Sequence, residues 1–286
     1  CESESEAKLI DKLARKLKKK VSIGFRLNPN IDAKTHQKIS TGKAENKFGL
    51  SIKNFKSFYK TIKKYKHIKL DALSVHIGSQ ILSDVPYKKM LNVMSNLIRE
   101  LQLDLKFLDL GGGFGISYNR KDKPIDLKKY SESVYKLAKK LKCKIIFEPG
   151  RSIIGDTGVL LSKIQYIKKG VKKDFVIIDA GMNDFMRPAL YDAVHKIIPT
   201  KKSNSKLKGV IEFVGPICES TCKFGSYKNY QKMNENDFVA ITNVGAYGSS
   251  LSSNYNSRPL IAELLVNKNK LKYIRKKQDL LKLINS

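Results

Sequence analysis

The chain has 286 residues, 41% of them apolar, and a formal charge of +30 at pH 7. That length can hold two domains and a sizeable core, and no apolar run approaches the ~18–20 residues of a membrane helix. Only eight of its 56 basic residues are arginine. Lysine is spread over nearly every helical stretch rather than gathered in one stripe, which argues for a solvated surface, weakly attractive to anionic substrates, and against a nucleic-acid partner.

Cys1-Glu2-Ser3-Glu4 opens the chain without an initiator Met or a secretory signal, so it is expected to be the C-terminal part of a longer protein. The lysine-rich run 16–20 reads as a solvated helix end. Strand-like runs follow at 21–27, 70–76, 106–110 and 143–148. Amphipathic stretches at helical period separate the last three, at 86–101 and 125–141. Such alternation predicts parallel βα units. About four units are visible, too few to close an eight-stranded barrel, so upstream sequence is expected to supply the remainder.

After Thr157 the pattern changes. Strands are predicted at 165–168, 175–179, 209–214, 237–242, 262–266 and 270–274 without long helices between them. Residues 201–208 form a polar loop, and a short helix is predicted at 278–284. The expected architecture is α/β: part of a barrel over residues 1–155, then a mainly antiparallel β-domain over 156–286.

Several segments carry chemistry. Phe107-Leu108-Asp109-Leu110-Gly111-Gly112-Gly113 runs an apolar strand into three glycines, as where a backbone must approach a phosphate. Glu148-Pro149-Gly150-Arg151 ends another apolar strand with a carboxylate, a turn and an arginine. A carboxylate there is costly unless paired, and either a cationic ring nitrogen or Arg151 would serve. Ser74-Val75-His76-Ile77-Gly78-Ser79 closes a third strand with an imidazole and a hydroxyl, equally consistent with a structural role. Arg187 and Tyr191 stand four apart, on one face if helical, and suit a carboxylate ligand. Cys218-Glu219 puts a thiol beside a carboxylate in a Gly-Pro turn. Gly245-Ala246-Tyr247-Gly248 leads into the hydroxyl- and amide-rich Ser252-Ser253-Asn254-Tyr255-Asn256-Ser257-Arg258-Pro259, which reads as a site wall. In a chain so rich in lysine, Arg26, Arg151, Arg187 and Arg258 mark places where a planar fork matters. The four cysteines show no disulfide framework, and C-x3-C at Cys218 and Cys222 lacks the second pair of a zinc site.

Taken in order, HIGSQ, LDLGGGFG, EPGR, DAGMNDFMRPALY, GPICES and GAYG…SSNYNSRP resemble the diaminopimelate decarboxylases, pyridoxal-phosphate enzymes of the alanine-racemase fold type. Arg26-Leu27-Asn28-Pro29-Asn30 and Thr41-Gly42…Lys47-Phe48-Gly49 fit as well, so the resemblance covers essentially the whole chain. It implies a pyridoxal-phosphate-binding TIM-like (β/α)8 barrel followed by the β-domain. It also implies decarboxylation of meso-2,6-diaminopimelate to L-lysine and CO2 through a cofactor aldimine. His76 would stack on the cofactor ring. Ser79, Gly111, Gly112, Gly113, Glu148, Gly150, Arg151 and Tyr247 would hold the phosphate and ring nitrogen. Arg151, Arg187, Tyr191, Glu219 and Tyr247 would bind substrate, and Cys218 would donate the proton.

In the family that cysteine reaches the neighbouring subunit's site, which implies a homodimer; the cysteine pattern fits a reducing, cytoplasmic setting, and no metal, membrane or nucleic-acid partner is expected. Ornithine-type relatives share EPGR but need no arginine for a distal carboxylate, so RPALY favours diaminopimelate over ornithine, arginine or carboxynorspermidine. A catalytically dead binding paralogue is the alternative from another class, and the intact Cys218-Glu219 and Tyr247 speak against it. The sequence departs from the family twice. The Schiff-base lysine lies upstream of Cys1, so the chain alone is expected to be inactive. Thr221-Cys222 replaces the usual small residue and Asp, which leaves two thiols to compare; the neighbours of Cys218 match.

Overall fold

The structure is a computed structural model that describes residues 1–33, 41–43, 45–119 and 122–285. The chain divides into two compact units, Cys1–Ser117 with Asp122–Ser152, and Tyr118–Lys121 with Ile153–Ser286.

In the first unit the order is α1 (Glu4–Lys16), β1 (Val21–Asn28), β2 (Leu50–Ser51), α2 (Ile52–Ile62), β3 (Ile68–Val75), α3 (Val85–Glu100), β4 (Phe107–Asp109), α4 (Leu127–Leu141) and β5 (Lys144–Ile146). The strands form one parallel sheet in the order β2-β1-β3-β4-β5. Strand residues Phe25, Leu27, Leu73, Val75 and Leu108 bury against Phe55 and Phe58 of α2 and against Tyr87, Met90 and Met94 of α3. The anticipated strands and helices stand within about two residues of their expected ends, as is normal for such boundaries. Helix α2 was not anticipated. Its signals are local: the Ser51 hydroxyl accepts from the Asn54 N–H at 3.1 Å, and Phe55, Phe58 and Ile62 recur at helical spacing on the buried face.

Strand β3 itself carries a buried charge. Asp71 is 3% exposed and meets Ser22 Oγ, Lys106 Nζ and Lys69 Nζ. Burial raises its pKa, but the Ser22 hydrogen bond and the two ammonium groups outweigh that and hold it at about 2. A carboxyl depressed in the folded state adds stability that is complete above the unfolded pKa near 3.8 and is lost as pH falls through about 2. Both lysine heads are half exposed, so screening reduces the contribution to about 1–2 kcal/mol. Asp71→Asn should therefore lower the melting temperature at pH 7 and close much of the gap to the parent near pH 2. A constant difference across that range would contradict the assignment.

The short helix α5 (Arg151–Ile154) spans the division between Ser152 and Ile153, and the second unit continues with β6 (Val159–Lys168), β7 (Asp174–Ile178), α6 (Arg187–Tyr191), β8 (Ile197–Pro199), β9 (Val210–Val214), β10 (Lys223–Lys228) and β11 (Phe238–Thr242). Hairpin β12 (Glu263–Asn267) and β13 (Lys270–Arg275) and helix α7 (Leu280–Ile284) complete it. Six strands form a sheet in the order β10-β9-β7-β6-β11-β8, antiparallel except where β7 runs parallel to β9. Strand β6 begins six residues before the expected 165, and β8 and β10 were not anticipated. Strand β8 has three residues and ends in a proline, while β10 reads Lys-Phe-Gly-Ser-Tyr-Lys and buries only Phe224 fully. Neither carries an apolar run of the four to eight residues that marks a buried strand in sequence. No helix of the described residues is long and apolar enough to cross a membrane.

Candidate functional site

In the first unit, register brings three strand ends together. Ser74 of β3 pairs with Asp109 of β4, and Asp109 pairs with Ile146 of β5. The segments beginning at His76, Gly111 and Glu148 therefore leave one edge of the parallel sheet, where ligands bind in open α/β folds.

The glycines are required by geometry. Gly111 and Gly113 have φ of +64° and +87°, a region costly for other residues. A Cβ on Gly112 would lie 2.0 Å from the Glu148 carbonyl oxygen. The Gly112 peptide is held from both sides: its N–H donates to His76 Nδ1 at 3.1 Å, and its carbonyl accepts from the Tyr87 hydroxyl at 2.9 Å. Burial, then the Arg26 guanidinium, lower the His76 pKa against the opposing Asp109 carboxylate. The imidazole is thus neutral near pH 7, with Nδ1 bare and the proton on Nε2. Tyr87 escaped the sequence reading because an aromatic on the buried face of α3 looks like ordinary core. Its hydroxyl stays a proton donor, since burial and the adjacent Tyr130 raise its pKa.

Arg151 is buried, and its Nη2 donates to Ser79 Oγ at 3.2 Å. Gly150 faces open space. Glu148 follows β5, and its side chain is exposed in this chain.

In the second unit, Arg187 and Tyr191 do share a single helical turn, α6. Arg187 is 5% exposed; its Nη1 donates to the Tyr118 hydroxyl at 2.8 Å and to His195 Nε2 at 2.9 Å. Neither partner was singled out in the sequence. Tyr191 is half-buried.

Cys218 and Glu219 are exposed on a turn after β9. The polar loop expected to form a wall reaches both: Tyr255 donates its hydroxyl to Glu219, and the Cys218 thiol donates to Asn256 Oδ1 at 3.8 Å. That contact with the Glu219 carboxylate raises the Tyr255 pKa. Arg258 ties the loop down, donating to Asn183 Oδ1 and to the Asp179 carbonyl. The structure also separates the two thiols. Cys222 is buried, and its sulfur accepts the Met182 N–H at 3.3 Å, so it is a packing residue. Tyr247 is 45% exposed with φ +58°, an unusual conformation for an aromatic residue. All four cysteines are free thiols, and no cluster of metal-ligating side chains occurs among the described residues.

Residues 1–155 match the pyridoxal-binding domain of pyridoxal-dependent decarboxylases. Over 281 residues the chain is 39% identical to the diaminopimelate decarboxylase of Aquifex aeolicus, covering 97% of this chain and 67% of that protein. Over 283 residues it is 42% identical to the Helicobacter pylori diaminopimelate decarboxylase, covering 98% and 69%. The crystal structure of diaminopimelate decarboxylase from H. pylori complexed with L-lysine superposes with a TM-score of 0.90 at 40% identity, over 99% of this chain and 71% of that one. The chain thus spans about two thirds of the length of the curated relatives it matches. Its parallel unit is part of a TIM-like barrel and its second unit the β-domain that follows. With this identity over nearly all of its length, the chain belongs to the diaminopimelate decarboxylase family of pyridoxal-dependent decarboxylases.

Proposed function

We propose that the protein removes CO2 from meso-2,6-diaminopimelate to give L-lysine, with pyridoxal phosphate as cofactor. The observation that carries this reading beyond family membership is Arg187: a guanidinium 5% exposed, set at the start of α6 with Tyr191 one turn on. A substrate with a second carboxylate gives this planar fork a two-bond partner that a substrate with a single carboxylate does not offer. Ornithine-type substrates are disfavoured on that ground.

The residues of the first unit fit the cofactor. Arg151 and Ser79 already lie within hydrogen-bond reach of each other and offer a cation and a hydroxyl to a phosphate. The Gly111–Gly113 backbone leaves no room for side chains that would crowd it. Neutral His76 presents a half-buried ring to stack on the cofactor ring. Glu148 would face the ring nitrogen, and Gly150 and Tyr247 would complete the cradle. When bound, pyridoxal phosphate supplies the electron sink that lets an amino acid lose its carboxylate.

The remaining work belongs to the side chains. Arg187 and Tyr191 take the distal carboxylate, Glu219 the distal ammonium, and Arg151 and Tyr247 further polar groups of the substrate. Cys218 holds a proton on Sγ for the carbon that has lost CO2. The exposure of Cys218 and Glu219 on a single chain supports a homodimer in which they serve the partner's site. Four free thiols suit a reducing, cytoplasmic setting.

No lysine of this chain is nominated for the covalent link to the cofactor, so activity is measured on the full-length gene product. With pyridoxal phosphate added, that product should elute at a two-chain mass and release L-lysine from meso-diaminopimelate. A cofactor-loaded protein that forms no lysine would overturn the reading.

Tyr87 gives a prediction for the cofactor alone. Tyr87→Phe leaves the buried Gly112 carbonyl without its donor, a loss of about 1 kcal/mol. Pyridoxal-phosphate affinity, read from absorbance titration, should fall roughly five- to tenfold. Unchanged affinity would show that the Gly112 peptide is fixed without this hydroxyl.

A further inference from the structure

His195 is the most deeply buried titratable side chain that the proposed chemistry leaves unused. It is 1% exposed, and its ring packs edge-on against Tyr118, at 4.9 Å and 70°, and against Phe185, at 4.6 Å and 83°. Its two nitrogens make different bonds. Nε2 lies 2.9 Å from Arg187 Nη1, and Nδ1 lies 2.9 Å from the Thr242 carbonyl oxygen. A guanidinium only donates and a carbonyl only accepts. Nε2 is therefore the bare nitrogen, Nδ1 carries the proton, and the ring in this arrangement is neutral.

The second N–H of Arg187 Nη1 goes to the Tyr118 hydroxyl at 2.8 Å, and the guanidinium carbon sits 4.8 Å from the Tyr118 ring centroid. Both hydrogens of one terminal nitrogen are thus committed to two fixed acceptors. Tyr118 and His195 lie 69 and 8 residues from Arg187, and Thr242 on β11 anchors the histidine from behind. With its end pinned in this way, the guanidinium plane does not rotate about the side-chain axis. An arginine recognises a carboxylate through a planar, two-bond fork, so the orientation of that plane decides the recognition.

We propose that His195 and Tyr118 are positioning residues that set the plane of Arg187 and thereby select substrates carrying a second carboxylate. This rests on the reading of Arg187 as the distal-carboxylate residue. Loss of either acceptor leaves the cation in place but frees its plane, so the effect falls on KM for meso-diaminopimelate rather than on kcat.

The test uses the full-length enzyme with cofactor and four variants. His195→Phe keeps an aromatic ring against Tyr118 and Phe185 but removes the acceptor. His195→Gln restores an amide oxygen. Tyr118→Phe removes only a hydroxyl, and Arg187→Lys tests the underlying reading. Expected results are a roughly tenfold rise in KM for His195→Phe, about fivefold for Tyr118→Phe, and substantial recovery in His195→Gln, each with kcat within about twofold of the parent. In the Arg187→Lys background, His195→Phe should add less than about twofold, because residues acting through one group are not additive.

If Arg187→Lys raises KM while His195→Phe and Tyr118→Phe do not, the positioning roles are overturned and the reading of Arg187 stands. If Arg187→Lys leaves KM unchanged, both fall. Equal damage from His195→Phe and His195→Gln, additive with Arg187→Lys, would make His195 a packing residue. Should His195→Phe fail to fold, Tyr118→Phe and its coupling to Arg187→Lys decide the matter.

Discussion

Replacing Cys218 by alanine should lower kcat for lysine formation by about 10²-fold or more, the usual contribution of a positioned proton donor. Pyridoxal-phosphate affinity should stay unchanged, because the cofactor residues are carried by other segments. The expectation follows from how the structure separates the two thiols of the C-x3-C pair. Cys218 is exposed on its turn, with a long contact to Asn256 Oδ1. An amide oxygen accepts the S–H. Cys222 has its sulfur buried beside Gly215 and engaged by the Met182 N–H. Cys222→Ala should therefore cost stability, about 1 kcal/mol, and leave kcat within about twofold. Steady-state kinetics of the two variants side by side check both statements. A Cys218→Ala enzyme within threefold of the parent would remove the thiol from the proton-transfer role.

A methyl group on Gly112 should damage the cofactor site more than any surface change. The added Cβ would stand 2.0 Å from the Glu148 carbonyl oxygen and 2.8 Å from its carbon, and both are backbone atoms that cannot swing aside. The strand end carrying Glu148 must move, or the glycine loop must. Either movement breaks the Gly112 N–H bond to His76 and the Tyr87 bond to its carbonyl. Overpacking of this kind costs about 1–3 kcal/mol, and the displaced segments are those that would hold the phosphate and ring. Gly112→Ala should thus weaken pyridoxal-phosphate binding by at least about tenfold and lower the melting temperature. Gly150→Ala is the control, since its Cβ meets open space. Equal cofactor affinity in Gly112→Ala and the parent would contradict the assignment of this loop.

Much of this was legible in the residues because the physics is local. Three consecutive glycines after an apolar strand signal positive φ and close approach; Gly111 and Gly113 show the first, and all three show the second. Arg187 and Tyr191, four apart after Met186 and before Asp192, form the single turn that their spacing suggests. Helix α2 was equally local, with its Ser51 cap and Phe55, Phe58 and Ile62, but the lysines between them masked the period.

What escaped depends on distance along the chain. Tyr118 and Thr242 reach Arg187 and His195 from 69 and 47 residues away, and no spacing rule foretells such pairs. Tyr87 meets Gly112 across 25 residues, and the buried face of α3 gives no sign that its hydroxyl matters.

The measurement closest to the central claim is the ratio of kcat/KM for meso-diaminopimelate over L-ornithine, taken on the full-length protein loaded with pyridoxal phosphate. A buried arginine serving a second carboxylate predicts a ratio of at least about 10³, since two charge-assisted hydrogen bonds to that carboxylate contribute about 1.5–3 kcal/mol each. It also predicts that Arg187→Lys collapses the ratio through the diaminopimelate KM. A ratio near one, or a preference for ornithine, would contradict the account and strip Arg187 of its role.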